Sequence, residues 1–195
     1  KNTGNDTIAV IYAEGSIIDS SAGNDRTISI SPDSISTKLE KALRTKNLKG
    51  IVLRVNSPGG SALASEVIYQ ALLKTNVPIY VSMSETAASG GYYISMAGKK
   101  VFADNATITG SIGVVSMMPK FYNAQNKYGV TANTISKGKY SDMYNPFTPL
   151  SEESKAKISE SMLSTYKEFK SRVTASRKID DATLENYAQG KIWLG

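Results

Sequence analysis

Short apolar segments alternate with amphipathic segments along this 195-residue sequence, and the alternation restricts its possible folds more than any other feature. Apolar runs typical of strands lie at residues 8–13, 50–55, 78–83 and 131–135, with shorter runs at 100–103 and 112–115. Helical patterns begin at Ser31-Pro32 and extend over residues 62–74, 87–97, 120–128, 158–173 and 180–188. Strands that alternate with helices in this way predict an α/β fold with a largely parallel sheet and flanking helices.

The length predicts a single α/β domain over residues 1–195, because domains average roughly 150 residues. The chain starts at Lys1 and stops at Gly195 directly after an apolar run, so we expect it to be a fragment of a longer protein. No apolar run approaches the roughly 20 residues that are needed to cross a bilayer, and no transmembrane helix is predicted.

The sequence contains no His and no Cys, which excludes several kinds of active site. A Ser-His-Asp triad, a Cys nucleophile and a zinc site with imidazole or thiolate ligands are all impossible. The carboxylates are scattered along the chain, and we expect no cofactor and no metal. Proton transfer near neutral pH must therefore depend on a Lys, carboxylate or Tyr with a shifted pKa, or on a group from another chain.

The net charge of +6 arises from 23 Lys and Arg residues against 17 Asp and Glu residues. These basic residues are dispersed rather than grouped, so nucleic-acid binding is not predicted. The charge is typical of a Lys-rich soluble surface, and it is also compatible with a position near anionic lipids.

Two junctions between a strand and the following helix carry the candidate functional residues. In a parallel sheet, ligands bind at the carboxyl ends of the strands, where such junctions lie. The first junction contains Gly59 and Gly60, whose bare backbone N–H groups could bind an anion or an oxyanion. A glycine-rich turn that merely reverses the chain is the alternative interpretation.

The second junction contains Ser89, between two alanines and two glycines. Small neighbours let a substrate backbone approach the hydroxyl, and the start of a helix favours developing negative charge. This pattern is that of a nucleophile elbow, although it does not match the sequence Gly-x-Ser-x-Gly. The alternative interpretation is a serine that caps the N-terminus of its helix.

Three segments together resemble the signature blocks of the signal peptide peptidase A (SppA) family. These segments are Arg54-Val-Asn-Ser-Pro-Gly-Gly-Ser61, Ala87-Ala-Ser-Gly-Gly-Tyr-Tyr-Ile-Ser95 and Thr107-Ile-Thr-Gly-Ser-Ile-Gly-Val114. They occur in the family's order, and the resemblance extends from about Ile8 to Trp193. Members of this family are membrane-anchored bacterial serine proteases with the fold of Clp protease and crotonase, so the resemblance implies that fold here.

Carried over position by position, the resemblance implies a catalytic role for residues at both junctions. Ser89 matches the family's nucleophile, and Gly59 or Gly60 with the N–H of Gly90 matches its oxyanion hole. Ser111 matches the serine that orients a catalytic lysine. The family uses a Ser-Lys dyad, whose lysine acts as the base once desolvation or nearby positive charge lowers its pKa from about 10.4.

Ser141 occupies the position at which the family has this lysine, and a neutral serine is a very poor base. Three explanations are open. The double-length branch of the family has its nucleophile in the C-terminal half and its lysine in the N-terminal half, and this chain resembles that C-terminal half. Alternatively, Lys139 or Lys137 could approach from the irregular loop that contains them, or the lysine could have been replaced by design.

The resemblance further implies a serine endopeptidase that degrades cleaved signal peptides and other unfolded or membrane-derived peptides. It implies a homo-oligomer on the periplasmic or extracytoplasmic side of the bacterial cell membrane, held by an anchor outside this sequence. The N-terminal half or a neighbouring subunit would supply the lysine. Two other functions fit the same fold: a crotonase-like acyl-CoA enzyme that uses carboxylates, and a catalytically silent scaffold.

Overall fold

The computed structural model describes residues 5–20 and 28–195 of the chain. Of these, residues 5–20, 28–113 and 168–195 form one compact unit, and residues 114–167 form a second. Across the described residues, no helix is both long and apolar enough to span a membrane.

The first unit is built around a mostly parallel sheet. Its strands and helices, in chain order, are β1 (Thr7–Glu14), β2 (Ser16–Ile17), β3 (Ser29–Ile30), α1 (Pro32–Leu43), β4 (Leu48–Ser57), α2 (Ala62–Leu73), β5 (Ile79–Ala88), α3 (Gly90–Ser95), β6 (Lys100–Phe102) and β7 (Ile108–Gly110). The second unit contains α4 (Tyr122–Tyr128) and the start of α5 (Glu152–Arg177). The last turns of α5, then α6 (Asp181–Tyr187) and β8 (Ile192–Leu194), complete the first unit.

The main sheet has the strand order β1-β4-β5-β7-β8, and β6 also pairs with β5. Every pairing is parallel except that of β7 with β8, which is antiparallel. The carboxyl ends of β4, β5 and β7 therefore lie at the same edge of the sheet. This arrangement confirms the predicted α/β class with a largely parallel sheet, and it brings the two candidate junctions to one edge.

Helix α1 begins where its sequence predicts. Ser31 is the N-cap, Pro32 occupies the first helical position, and the Ser31 and Ser34 side chains each accept a hydrogen bond from the other's backbone N–H. The apolar face of α1 then packs into the core with residues of α2, β4 and β5. The central members of this core are Ile35, Leu39, Ile51, Leu53, Val55, Ile68, Leu72 and Val81.

Three predicted elements differ from the structure. Residues 112–115 form no strand, because the segment that pairs with the end of β5 is Ile108–Gly110. Residues 131–135 form no strand, because this β-branched run pairs with no other strand and the Ile135 side chain is fully exposed. The helix predicted over residues 87–97 is shorter, spanning only Gly90–Ser95. Its predicted first turn continues β5 instead, because residues 86–88 pair with β7.

Helix α3 is joined to α2 and to the end of α5 by a polar contact inside an aromatic cluster. The Tyr93 hydroxyl donates a 2.5 Å hydrogen bond to Glu66, and Arg172 donates a 2.8 Å hydrogen bond to the same carboxylate. The Tyr93 ring lies 4.9 Å from that of Phe169 and 5.7 Å from that of Tyr69. Burial and then the bond to Glu66 raise the pKa of Tyr93 well above its ordinary value.

This raised pKa predicts how stability depends on alkaline pH. Above about pH 10, Tyr93 ionises in the unfolded chain but stays protonated in the native state, so the wild type loses stability as pH rises. Tyr93→Phe lacks that loss, and its stability deficit relative to the wild type should shrink between pH 8 and pH 11. Denaturant unfolding at each pH measures this deficit.

The exposed Tyr128→Phe serves as the control, and its curve should follow that of the wild type. Charged or titratable groups around the Tyr93 hydroxyl come from α2 and α5: Glu66, Tyr69, Glu168 and Arg172. A Tyr93→Phe deficit that stays constant from pH 8 to pH 11 would contradict the prediction.

Candidate active site

Ser89 lies at the point where β5 ends and α3 begins. Its backbone has φ 51° and ψ −121°, a conformation that is strained for a residue with a side chain. The side chain makes no capping hydrogen bond to α3, so the interpretation of Ser89 as a helix cap is wrong. The strained turn instead leaves the half-buried hydroxyl available for chemistry.

The glycine junction after β4 lies directly against this serine. A Cβ atom added to Gly59 would lie 2.5 Å from the Gly90 nitrogen and 2.8 Å from the Ser89 Cβ. Gly59 also has φ +97°, which only glycine adopts without strain. The junction therefore requires glycine at residue 59 for two reasons, and the alternative interpretation of a simple reversing turn does not explain the close approach.

The N–H groups at this edge differ in their availability. The Gly59 N–H donates a 3.1 Å hydrogen bond to the buried Ser57 hydroxyl, so it is already used. Among the described residues, the Gly60 N–H donates to no backbone acceptor. The Gly90 N–H opens helix α3 and has no acceptor within that helix. Gly60 and Gly90 thus each carry a backbone N–H without a backbone acceptor among the described residues, and Gly90 directly follows Ser89.

Strand β2 fixes the glycine junction from the other side. The Ile17 N–H donates to the Gly59 carbonyl, and the Ser61 N–H donates to the Ile17 carbonyl, both at 2.8 Å. The Ser61 hydroxyl donates to Asp19 at 2.5 Å. The sequence interpretation missed this support because residues 15–31 have the composition of a loop. Residues 21–27 of that segment lie outside the described residues.

Ser111 lies beside Ser89 at the same edge of the sheet. Ala88 pairs with Gly110, and the Ser89 N–H donates a 3.0 Å hydrogen bond to the Gly110 carbonyl. Ser111 follows at once with φ 50°, and its N–H donates a 2.7 Å hydrogen bond to the Lys191 carbonyl next to β8. The structure therefore brings Ser111 close to Ser89.

The residues considered for the base lie in the second unit, residues 114–167. The Ser141 hydroxyl is exposed and donates a 2.6 Å hydrogen bond to the Lys137 carbonyl. The Lys139 ammonium lies 3.0 Å from Glu153, and this hydrogen bond raises the pKa of Lys139. A lysine base needs a lowered pKa, so the contact with Glu153 makes Lys139 less suited to act as the base.

Comparisons with known proteins agree with this geometry. The model of Peptidase family S49 matches residues 71–195, and that of Clp protease matches residues 5–109. The chain belongs to peptidase family S49. The S49 match includes Ser89, Gly90 and Ser111.

Several curated relatives align with most of this chain. Protease 4 of Haemophilus influenzae is 39% identical over 191 residues, which are 96% of this chain and 30% of the relative. The chloroplastic serine protease SPPA of Arabidopsis thaliana is 36% identical and is aligned over 98% of this chain and 29% of its own length. A putative signal peptide peptidase SppA of Enterococcus faecium is 39% identical over 82% of this chain and 47% of its own length. The chain thus spans about a third to a half of these relatives.

A solved structure supports the fold of the S49 chain. A ClpP1 mutant from Listeria monocytogenes superposes with a TM-score of 0.53 and 10% identity, covering 91% of this chain and 77% of the other. At this identity the likeness shows the fold alone, and it confirms the predicted fold of Clp protease.

Ser57 is a further residue of this candidate site that the sequence interpretation did not assign. Its fully buried hydroxyl holds the Gly59 N–H. Ser57→Ala would leave that N–H without an acceptor, so the free energy of unfolding should fall by about 1–3 kcal/mol. Denaturant unfolding measures the change.

Ser95→Ala is the matched control for Ser57→Ala, because Ser95 is equally buried. Its hydroxyl donates to the Gly91 carbonyl within α3, and its removal leaves no N–H unpaired. A smaller loss in the free energy of unfolding is expected for Ser95→Ala. Equal losses in the two variants would show that the hydrogen bond from the Gly59 N–H to Ser57 stabilises the fold no more than the Ser95 hydroxyl does.

Proposed function

We propose that this chain carries the nucleophile and the oxyanion hole of a serine endopeptidase with a Ser-Lys dyad. The observation that supports this most is the strained and uncapped Ser89, which lies against Gly59 and directly before Gly90, whose N–H has no acceptor within α3. Membership of peptidase family S49 agrees with it. A crotonase-like acyl-CoA enzyme loses support, because the matching family is one of peptidases.

The proposed mechanism begins when the Ser89 Oγ attacks the scissile carbonyl carbon while a neutral lysine amine takes the hydroxyl proton. The carbonyl oxygen becomes an oxyanion and accepts hydrogen bonds from the N–H groups of Gly60 and Gly90. Each such donor contributes about 3 kcal/mol to transition-state stabilisation. The lysine ammonium then protonates the leaving amine, and water hydrolyses the acyl-enzyme.

The base in this proposal comes from another domain or chain. Ser141 occupies the position of the family's lysine, and its hydroxyl donates a hydrogen bond to a carbonyl oxygen. Lys139 is exposed and paired with Glu153, which keeps it protonated. Because the chain spans about a third of Protease 4 from Haemophilus influenzae, we propose that it is the C-terminal half of a double-length protein and that Ser111 orients a lysine from the N-terminal half.

The proposed substrates are cleaved signal peptides and other unfolded or membrane-derived peptides. One relative carries the name signal peptide peptidase, and a Clp protease fold supports peptide substrates and a homo-oligomer. The proposed site of action is the extracytoplasmic surface of the bacterial membrane, reached through an anchor outside residues 1–195. The charge of +6 suits a surface of anionic lipids.

The division of the dyad predicts that the isolated chain has little or no peptidase activity. The full-length protease that contains it should hydrolyse an unfolded peptide substrate, because only there does a lysine reach Ser89. Turnover of the same fluorogenic peptide by both proteins, at equal concentrations of folded chain, measures the difference. Similar turnover numbers for the two would contradict the divided dyad.

The Lys139→Ala variant of the isolated chain tests the in-chain alternative. If residual activity depends on Lys139, the variant should lose it, whereas the divided dyad predicts no change. Lys155→Ala is the control, because Lys155 likewise pairs with a glutamate on the surface of the second unit.

A further inference from the structure

We infer that Glu66, Tyr93 and Arg172, here called the α3 clamp, position helix α3 and thereby set the alignment of the Ser89 hydroxyl with the Gly90 N–H. The inference rests on the proposed role of Ser89 as the nucleophile. It assigns to the α3 clamp a positioning role, since none of its three side chains is proposed to touch the substrate.

Helix α3 has little stability of its own. It contains six residues and begins with two glycines, the least helix-prone residues after proline. Such short helices do not persist without tertiary contacts, and no side chain caps the first turn. The orientation of the Gly90 N–H must therefore be set by contacts from outside the helix.

Tyr93 connects the nucleophile to the α3 clamp within one residue. Its backbone N–H donates a 2.9 Å hydrogen bond to the Ser89 carbonyl, and its side-chain hydroxyl donates a 2.5 Å hydrogen bond to Glu66. Tyr93 therefore links the turn that presents Ser89 to the carboxylate of Glu66. The ring itself is buried, with only 5% of its surface exposed.

The Glu66 carboxylate is fixed from three directions. Arg172 donates two hydrogen bonds to it, of 2.8 and 3.3 Å, and Gln70 donates one of 2.8 Å. Partial burial opposes its ionisation, but the hydrogen bonds from Arg172, Tyr93 and Gln70 outweigh it and lower the pKa of Glu66. The carboxylate is thus charged at neutral pH and remains an acceptor for Tyr93.

The residue beside Glu66 contacts the oxyanion donor directly. A Cβ atom added to Gly90 would lie 2.5 Å from the Ser65 hydroxyl oxygen, which itself donates a 2.7 Å hydrogen bond to the Ser61 carbonyl. Helix α2 therefore lies against Gly90 through Ser65 and against Tyr93 through Glu66. A change of a few tenths of an ångström between α2 and α3 would displace the Gly90 N–H.

The test measures how fast a fluorophosphonate modifies Ser89 in the full-length protease, together with the final fraction of modified sites. Tyr93→Phe keeps the ring and removes the hydroxyl, and Glu66→Gln removes the charge. For both variants we expect the second-order rate constant to fall at least tenfold while the final modified fraction stays near that of the wild type. With a peptide substrate, kcat should fall while KM changes little.

Two control variants separate positioning from general damage to the cluster. Glu168→Gln removes a carboxylate that pairs with Arg172 but does not contact Tyr93. Tyr69→Phe removes a hydroxyl from the ring that packs edge-on against Tyr93. Both should react within about twofold of the wild-type rate. The variant Arg172→Lys retains one charged donor to Glu66, and we expect an intermediate rate for it.

The outcomes decide between a positioning role and a structural one. A purely structural role would lower the modified fraction in Tyr93→Phe and Glu66→Gln but leave the rate constant of the folded sites unchanged, which would overturn the inference. Loss of rate in the two control variants to the same extent would also overturn it. If Ser89 of the wild type is not modified at all, the proposed nucleophile fails, and this inference fails with it.

Discussion

Replacing Ser89 by Ala in the full-length protease should abolish peptide hydrolysis, with kcat/KM falling by at least about 10⁴-fold. The reason is that no acyl-enzyme can form without the Ser89 oxygen, and binding with the oxyanion hole alone gives only residual catalysis. Turnover of a fluorogenic peptide measures the loss. Thermal unfolding of the variant should remain close to that of the wild type.

Ser95→Ala provides the matched control, since Ser95 is a serine of the same short helix whose hydroxyl bonds only within that helix. Its kcat/KM should stay within a few-fold of the wild-type value. Unchanged turnover in Ser89→Ala would instead support the silent scaffold, in which this chain holds an oligomer together and another site performs the hydrolysis.

Gly59→Ala should reduce kcat by at least about 100-fold while leaving the protein folded. The added methyl group would meet the Gly90 nitrogen at 2.5 Å and the Ser89 Cβ at 2.8 Å, so the nucleophile or its oxyanion donor must shift. Loss of one oxyanion donor alone reduces kcat by about 10²–10³-fold. Steady-state kinetics of the full-length variant measure the effect.

Gly129→Ala separates the contact at Gly59 from the strain of its backbone. Gly129 also has a positive φ, of +69°, but a Cβ atom there would meet nothing within 4 Å. Both variants pay about 1–2 kcal/mol for the left-handed conformation, and Gly59→Ala should lose further stability because its methyl group meets backbone atoms, so activities are compared at equal concentrations of folded protein. Equal activities in the two variants would show that Gly59 does not support the reaction.

The two candidate junctions were predictable because their information is local. Gly59 and Ser89 each follow a run of apolar residues, and parallel strands place such positions at one edge of a sheet. The strained backbone at Ser89 and the close approach of Gly59 are also encoded locally, through small residues on both sides. The structure adds a choice between the two glycines, because Ser57 uses the Gly59 N–H and leaves that of Gly60 free.

Contacts between distant segments were not predictable in the same way. Glu66 and Arg172 lie 106 residues apart. The sequence around each of them does not distinguish it from other charged residues on helix surfaces. The run Ile192–Leu194 has no turn signal that would pair it with β7, although the carbonyl of the preceding residue, Lys191, accepts the hydrogen bond from the Ser111 N–H. The β-branched run at 131–135 shows the converse, since strand propensity without a pairing partner gives no strand.

The division of the dyad is tested most directly by the rate at which a fluorophosphonate modifies Ser89, followed by mass spectrometry, in the full-length protease and in the isolated chain of 195 residues. We expect rapid modification of Ser89 in the full-length protein and modification at least about 100-fold slower in the isolated chain, because an unactivated serine hydroxyl is a weak nucleophile. Equal rates in the two proteins, or a modified residue other than Ser89, would contradict the account.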